Sequence, residues 1–193
     1  MSAQVVEELR ERISALEGGP ARVPIPTHPL LVGLLQLHAG GTYVVDSASL
    51  ALTLAAGASR AGEWVGFAGW QEFGAEAATQ WGVALDRTVL VPHPGEHWLE
   101  VTAALVDVLT VVVLRPAGTV DPKSASVLQA RLRARSAALV VWGDWPRPDA
   151  RITTRQVRWQ GLERGHGRLR ERQVRVDVRR GGPPLSGELV YPS

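Results

Sequence analysis

Few residues in this 193-residue chain are of types that do chemistry, and their spacing argues against most of it. The one lysine, Lys123, lies in Asp121-Pro122-Lys123, away from any glycine-rich turn. A phosphate-binding loop needs glycines whose amides cradle the phosphates, a lysine reaching the terminal phosphates and a Ser or Thr hydroxyl on Mg²⁺; no segment supplies all three. His93-Pro94-Gly95-Glu96-His97 has the i, i+4 spacing of a helical metal pair. Pro94-Gly95 breaks the helix that would make the two imidazoles converge, so a turn leading into a helix is expected instead. Asp46-Ser47 lacks the Gly-x-Ser-x-Gly elbow of a nucleophilic serine, and Gly165-His166-Gly167 reads as a hairpin tip. The absence of cysteine excludes a disulfide framework, a thiolate zinc site and a cysteine nucleophile. The expectation is a protein without catalytic residues, metal or cofactor.

The scaffold around these residues is that of an ordinary globular domain, 45% apolar and 21% charged. Charge is unevenly spread: residues 1–146 carry 10 Arg and Lys against 14 Asp and Glu, whereas 147–180 carry 11 Arg against 4 acids. A basic C-terminal stripe suits an acidic or phosphate-rich partner, or solvates exposed strands. Met1 to Glu17 alternates charged with apolar residues, and no run approaches the ~20 apolar residues of a membrane span. A soluble, cytoplasmic, unprocessed protein is expected.

Val6, Leu9, Ile13 and Leu16 fall at a and d positions of two heptads, which predicts an amphipathic helix within residues 1–19, ended by Gly18-Gly19-Pro20. Two heptads do not hold a helix alone, so it must dock on its own core or on another chain. Pro20, Pro24, Pro26 and Pro29 make residues 20–41 a linker with a short apolar helix or turn at Leu30 to Leu37. Residues 42–193 form the core. There, short apolar strands (Thr42 to Val45, Trp64 to Ala68, Thr88 to Val91, Thr110 to Leu114, Ala137 to Trp142) alternate with helices (Ser47 to Arg60, Gly74 to Trp81, Glu96 to Val108, Pro122 to Ser136). That rhythm predicts an α/β fold with a mostly parallel twisted sheet and helices on both faces. Ile152 to Gly161, Leu169 to Arg179 and Glu188 to Tyr191 then predict an antiparallel extension.

Leu37 to Val45, Ala61 to Phe67, Trp81 to Pro92 and Arg158 to Pro184 resemble the first, second and third strand regions and the terminal hairpin of RecA-like recombinase cores. More closely, Asp46 to Leu52, Val111 to Gly118 and Arg158 to Leu169 are similar to the actinobacterial ImuA′ group, RecA-like accessory proteins of the ImuB mutagenic translesion complex. The departures carry the chemistry. Where recombinases have Gly-x-x-x-x-Gly-Lys-Thr, this chain has Asp46-Ser47-Ala48-Ser49, and where a magnesium-holding Asp would end the fourth strand it has Leu114-Arg115-Pro116. Asp46 suits capping of the following helix better than holding phosphate. The connections after the fourth and fifth strands, Arg115 to Asp121 and Gly143 to Asp149, are short for DNA-binding loops.

The resemblance implies a non-enzymatic, degenerate RecA-like ATPase. It would serve as an adaptor that binds an ImuB-like Y-family polymerase homologue in the DNA damage response, and through it, indirectly, an error-prone replicative-type polymerase and the clamp. Candidate partner contacts are the helix residues Val6, Leu9, Ile13 and Leu16, which would also support a homo-oligomer, and Trp70, Trp142 and Trp145 beside strand ends, where open α/β sheets place ligands. Arg155, Arg158, Arg168, Arg170 and Arg172 are candidate nucleic-acid contacts, with weak or indirect DNA binding expected. Alternatives are a direct DNA-binding repair subunit and a division inhibitor similar to SulA.

Overall fold

A computed structural model describes residues 22–160 and 171–192. Eight strands form one mixed sheet: β3 (Thr42–Val45), β4 (Val65–Ala68), β5 (Thr88–Val91), β6 (Val111–Leu114), β7 (Ala138–Trp142), β8 (Ala150–Gln160), β9 (Glu171–Arg179) and β10 (Leu185–Pro192). Their order is β10-β9-β8-β3-β7-β6-β4-β5. Strands β3 to β8 run parallel, whereas β9 and β10 are each antiparallel to the preceding strand. The Tyr-Val-Val, Val-Val-Val-Leu and Ala-Leu-Val-Val runs of β3, β6 and β7 are buried on both sides, because helices cover both faces of a parallel sheet.

On one face lies α1 (Ala48–Arg60), preceded by Ser47, whose extended backbone and side-chain acceptance from the Leu50 amide make it the N-cap. Asp46 sits one residue too early for that role. Its carboxylate instead accepts from the Thr154 amide at 2.7 Å and the Thr154 hydroxyl at 3.0 Å, tying the turn after β3 to β8. The alanines of α1 let it lie close to the sheet, and every residue from Leu50 to Ser59 is buried. That burial on all sides has a second cause. The two-stranded ribbon of β1 (Pro24–Ile25) and β2 (Leu37–His38), with the 3₁₀ turn Pro29–Leu31 between them, covers the outer side of α1 and adds Ile25, Leu31, Leu35 and Leu37 to its core cluster. At Gly57 a Cβ would stand 2.4 Å from the His28 backbone nitrogen, so only glycine admits this approach. The short α2 (Ala75–Gln80) completes this face through Ala78.

The opposite face carries α3 (Trp98–Val106) and α4 (Pro122–Arg135), packed on a second cluster that includes Val44, Leu114, Leu128, Leu132, Leu139 and Trp145. Helix α4 begins at Asp121, whose carboxylate accepts from the Lys123 and Ser124 amides, followed by Pro122. The expected helix from Glu96 starts as a 3₁₀ turn, Gly95–His97, and turns α-helical at Trp98. Asp107, just after α3, pairs with Arg131 and Arg135 of α4.

Val174, Val176, Val178, Leu189 and Tyr191 of the antiparallel extension join the α1 side of the core. The other face of the extension is polar, and no described helix covers it. Among the described residues no helix is long and apolar enough to cross a membrane.

These contacts set a pH profile. Hydrogen bonds from Arg131 hold Asp107 down to about 2, and hydrogen bonds from Ser124 and Ser186 lower Asp121 and Asp177. Burial, then Arg60, lowers His28 below its ordinary 6.5. All four groups bind fewer protons folded than unfolded, so stability is full above 6.5 and falls with pH, first through His28 and then through the carboxylates below about 4. Burial raises Tyr43 to about 12, so a separate loss begins as pH rises past 10. Urea midpoints measured from pH 3 to 11 should trace a plateau between roughly 7 and 9; a midpoint that rises on acidification from 6.5 to 4 contradicts these assignments.

Candidate functional site

The carboxyl ends of β3, β4 and β7 open on the α1 side into a groove of roughly 520 Å³, within the size range of ligand pockets. Its lining is mostly aromatic and apolar: Leu52 of α1, Trp70, Phe73 and Trp81 from the segment between β4 and the turn after α2, and Trp142 at the end of β7. Trp70 and Trp142 lie 4.8 Å apart between ring centroids, and Trp70 meets Phe73 edge-on at 5.6 Å. Phe67, inside β4, supports both from beneath, at 5.8 Å from Trp70 and 4.7 Å from Phe73. Trp70 reaches this place because Gly69 adopts φ +75° with a Cβ position only 2.1 Å from the Arg115 carbonyl, where β4 and β6 leave no room for a side chain.

The polar groups of the groove are few and directional. Connection β3 to α1 is only Asp46 and Ser47. Ser47, Ala48 and Ser49 bring the first turn of α1, with its positive dipole end, to the groove wall. Arg172 of β9 donates through Nη1 to the Ser49 hydroxyl at 3.1 Å, and its guanidinium lies 5.6 Å from the Trp159 ring and 6.0 Å from the Tyr191 ring. Arg172 Nε is buried, with no hydrogen-bond partner among the described residues. Behind it, Tyr191 meets Trp81 edge-on at 4.3 Å between ring centroids, and burial raises its phenol above the ordinary range. Arg115, at the end of β6, lies over the Trp142 ring at 4.5 Å. The rim acid is Glu72; Asp46 nearby is spent on Thr154. Such an arrangement can take up an apolar or aromatic group and an anion beside it.

Trp70 and Trp142 are thus brought together. Trp145, three residues beyond Trp142, is buried in the cluster under α3 and α4, beside a polar hollow lined by Arg22, Gln129, Arg133 and Asp149. Asp149 there holds the start of β3 through the Thr42 amide, at 2.8 Å, and pairs with Arg22. The arginines separate as well. Arg155 is the extra residue of a bulge in β8 and pairs with Asp177 at 2.6 Å. Arg158 is exposed on the uncovered face, next to Gln173, Arg175 and Glu188. Arg172 points to the α1 side with Val174, Val176 and Val178. Two-residue alternation along β9 is the signal that assigns it to that face. Phe73, Trp81 and Leu52 were not among the expected site residues. Val6, Leu9, Ile13, Leu16, Arg168 and Arg170 lie outside the described residues.

Two comparisons bear on this site. A family described as the MT3502 N-terminal domain matches residues 29–147, which include every groove residue except Arg172. The chain is also 32% identical over 162 residues to the uncharacterized protein Rv3395c of Mycobacterium tuberculosis, an alignment that covers 79% of this chain and 77% of that protein.

Proposed function

The chain belongs to the MT3502 N-terminal domain family, and from the groove that this domain carries we infer a protein-binding adaptor built on a degenerate RecA-like ATPase core. The observation that carries the reading is the two-residue turn Asp46-Ser47 between β3 and α1. A phosphate chain needs a loop of amides and a lysine at this point. Here a carboxylate occupies it, bonded to Thr154, and an aromatic groove opens beside it. Arg115 stands at the end of β6, where a magnesium-holding carboxylate would be required, and its guanidinium is stacked on Trp142. A central β3, flanked by β7 and β8 and extended by an antiparallel hairpin, supports the RecA-like assignment.

The resemblance to the ImuA′ group names the partner: an ImuB-like Y-family polymerase homologue, in a translesion synthesis complex formed in the DNA damage response. Affinity capture with the full chain from DNA-damaged cells is expected to recover that protein, together with the clamp or an error-prone replicative-type polymerase. Recovery of the division tubulin instead, or of none of these, overturns the adaptor reading. ATP with Mg²⁺ is expected neither to bind tightly nor to be hydrolysed. A micromolar dissociation constant by calorimetry, about −8 kcal/mol, would contradict the loss of the phosphate site.

A second reading, direct DNA contact, has one observation in its favour: Arg158, Arg175 and Arg179 are exposed on β8 and β9, and the first two line one polar hollow. Glu188 shares that hollow, and Arg155 is committed to Asp177, whose carboxyl is lowered by Ser186 and then by Arg155. Binding of single-stranded DNA that survives physiological salt would favour this second reading.

A further inference from the structure

We propose that the groove at the carboxyl edge of the sheet receives a short segment of the partner protein in which a bulky apolar or aromatic side chain is flanked by a carboxylate. The ring would lie among Trp70, Phe73, Trp81 and Trp142, and the carboxylate against Arg172 and the first turn of α1. Only the owner of the segment rests on the adaptor reading; the chemistry of the segment rests on the groove.

Three observations specify that chemistry. The walls are apolar and made largely of aromatic rings, which favours a ring or large aliphatic group over a sugar or a hydrated ion. Arg172 is an incompletely used donor: Nη1 reaches Ser49 at 3.1 Å, while Nε is buried with no partner among the described residues. A buried donor is ordinarily satisfied, so an orphaned guanidinium N–H on a groove wall points to an acceptor supplied from outside. Beside it, the Ser47 side chain satisfies the Leu50 amide, which leaves the amides of Ala48 and Ser49 as the first-turn donors of the 13-residue α1.

Charge decides between one carboxylate and a polyanion. Among the described residues Arg172 is the cation that lines the groove, Arg115 is engaged with the face of Trp142, and Glu72 stands on the rim. With no lysine at the groove and a carboxylate at the turn, the site matches a single negative charge and opposes a triphosphate.

The test uses the full chain and two synthetic peptides, acetyl-Ala-Asp-Phe-Leu-amide and its Asn counterpart, followed through tryptophan fluorescence. The acidic peptide is expected to bind at least about tenfold more tightly, the scale of one charge-assisted hydrogen bond. In Arg172→Met that preference should vanish while weak binding of both peptides remains; in Trp142→Ala both should be lost. Arg172→Met keeps an aliphatic stem beside Trp159 and Tyr191, so it decides the matter should Trp142→Ala fail to fold. Equal affinity for the two peptides, or ATP binding that disappears in Arg172→Met, overturns the proposal. Capture of the ImuB-like partner should fall at least tenfold in Arg172→Met. Undiminished capture sinks the groove assignment and leaves the adaptor reading standing. A peptide preference without partner capture by the native chain does the reverse.

Discussion

Phe67→Ala is expected to destabilise the protein by about 3–5 kcal/mol, the largest effect of any single truncation considered. Phe67 is fully buried in the middle of β4 and touches the rings of Trp70 and Phe73. Its removal deletes apolar contact and leaves a cavity that the neighbouring strands β5 and β6, held by the parallel ladder, cannot close. For a chain of this length the melting temperature should drop by roughly 10 °C. The groove should suffer with the core, because Trp70 and Phe73 lose the surface that orients them, so binding of the acidic peptide should weaken even where the variant remains folded. Urea denaturation gives the measurement. A loss below about 1 kcal/mol would mean that the cluster repacks and that the groove is not held by its floor.

Gly57→Ala is the second large effect, and its sign is the informative part. In an exposed helix interior this change stabilises by about 1 kcal/mol, since alanine is the better helix former. Here the new methyl would stand 2.4 Å from His28 N, 2.6 Å from Pro26 O and 2.7 Å from Thr27 C, all of them backbone atoms that no rotamer change can move aside. Either α1 is pressed into the sheet or the segment from Pro24 to His38 lifts away, exposing Leu31 and Leu35. A loss of at least 1–3 kcal/mol is expected, with faster amide exchange at Leu31 and Leu35. Stabilisation by Gly57→Ala would show that the proline-rich segment does not rest on α1 in solution.

Much of the architecture is local and was therefore legible in the residue order. Runs such as Val111 to Leu114 are too short for a helix and too apolar for a loop, and Asp121-Pro122 and the Ser47 position mark helix starts through chemistry confined to three or four residues. The alternation of strands with helices and the antiparallel β9 and β10 follow from those same short-range patterns, whereas β8, expected in the antiparallel extension, runs parallel to β3. So does the absence of a phosphate loop, which is a statement about one short stretch. Ends of the core strands and helices moved by up to three residues, because fraying and 3₁₀ turns such as Gly95–His97 depend on neighbours more than on propensity, while the helix or turn expected at Leu30 to Leu37 is a 3₁₀ turn at Pro29–Leu31 followed by β2.

Site composition depended on contacts that no local pattern encodes. Trp142 meets Trp70, 72 residues earlier, while Trp145 goes to the opposite face, because the chain crosses the sheet edge between them and each ring follows the cluster nearest to it. Asp46 looked like a helix cap and became a clamp on Thr154, since β8 runs parallel beside β3 and offers an amide and a hydroxyl that the helix does not. Arg172 belonged to a basic stripe by composition, yet strand alternation and the pairing of β9 with β8 and β10 turn it inward to Ser49. Composition, periodicity and capping reside in neighbouring residues, so the chain by itself determined its element types and the two-residue turn Asp46-Ser47 after β3. Which side chains share a groove is decided by crossover connections and strand order, which bring together residues more than a hundred positions apart, and only the folded sheet supplies that.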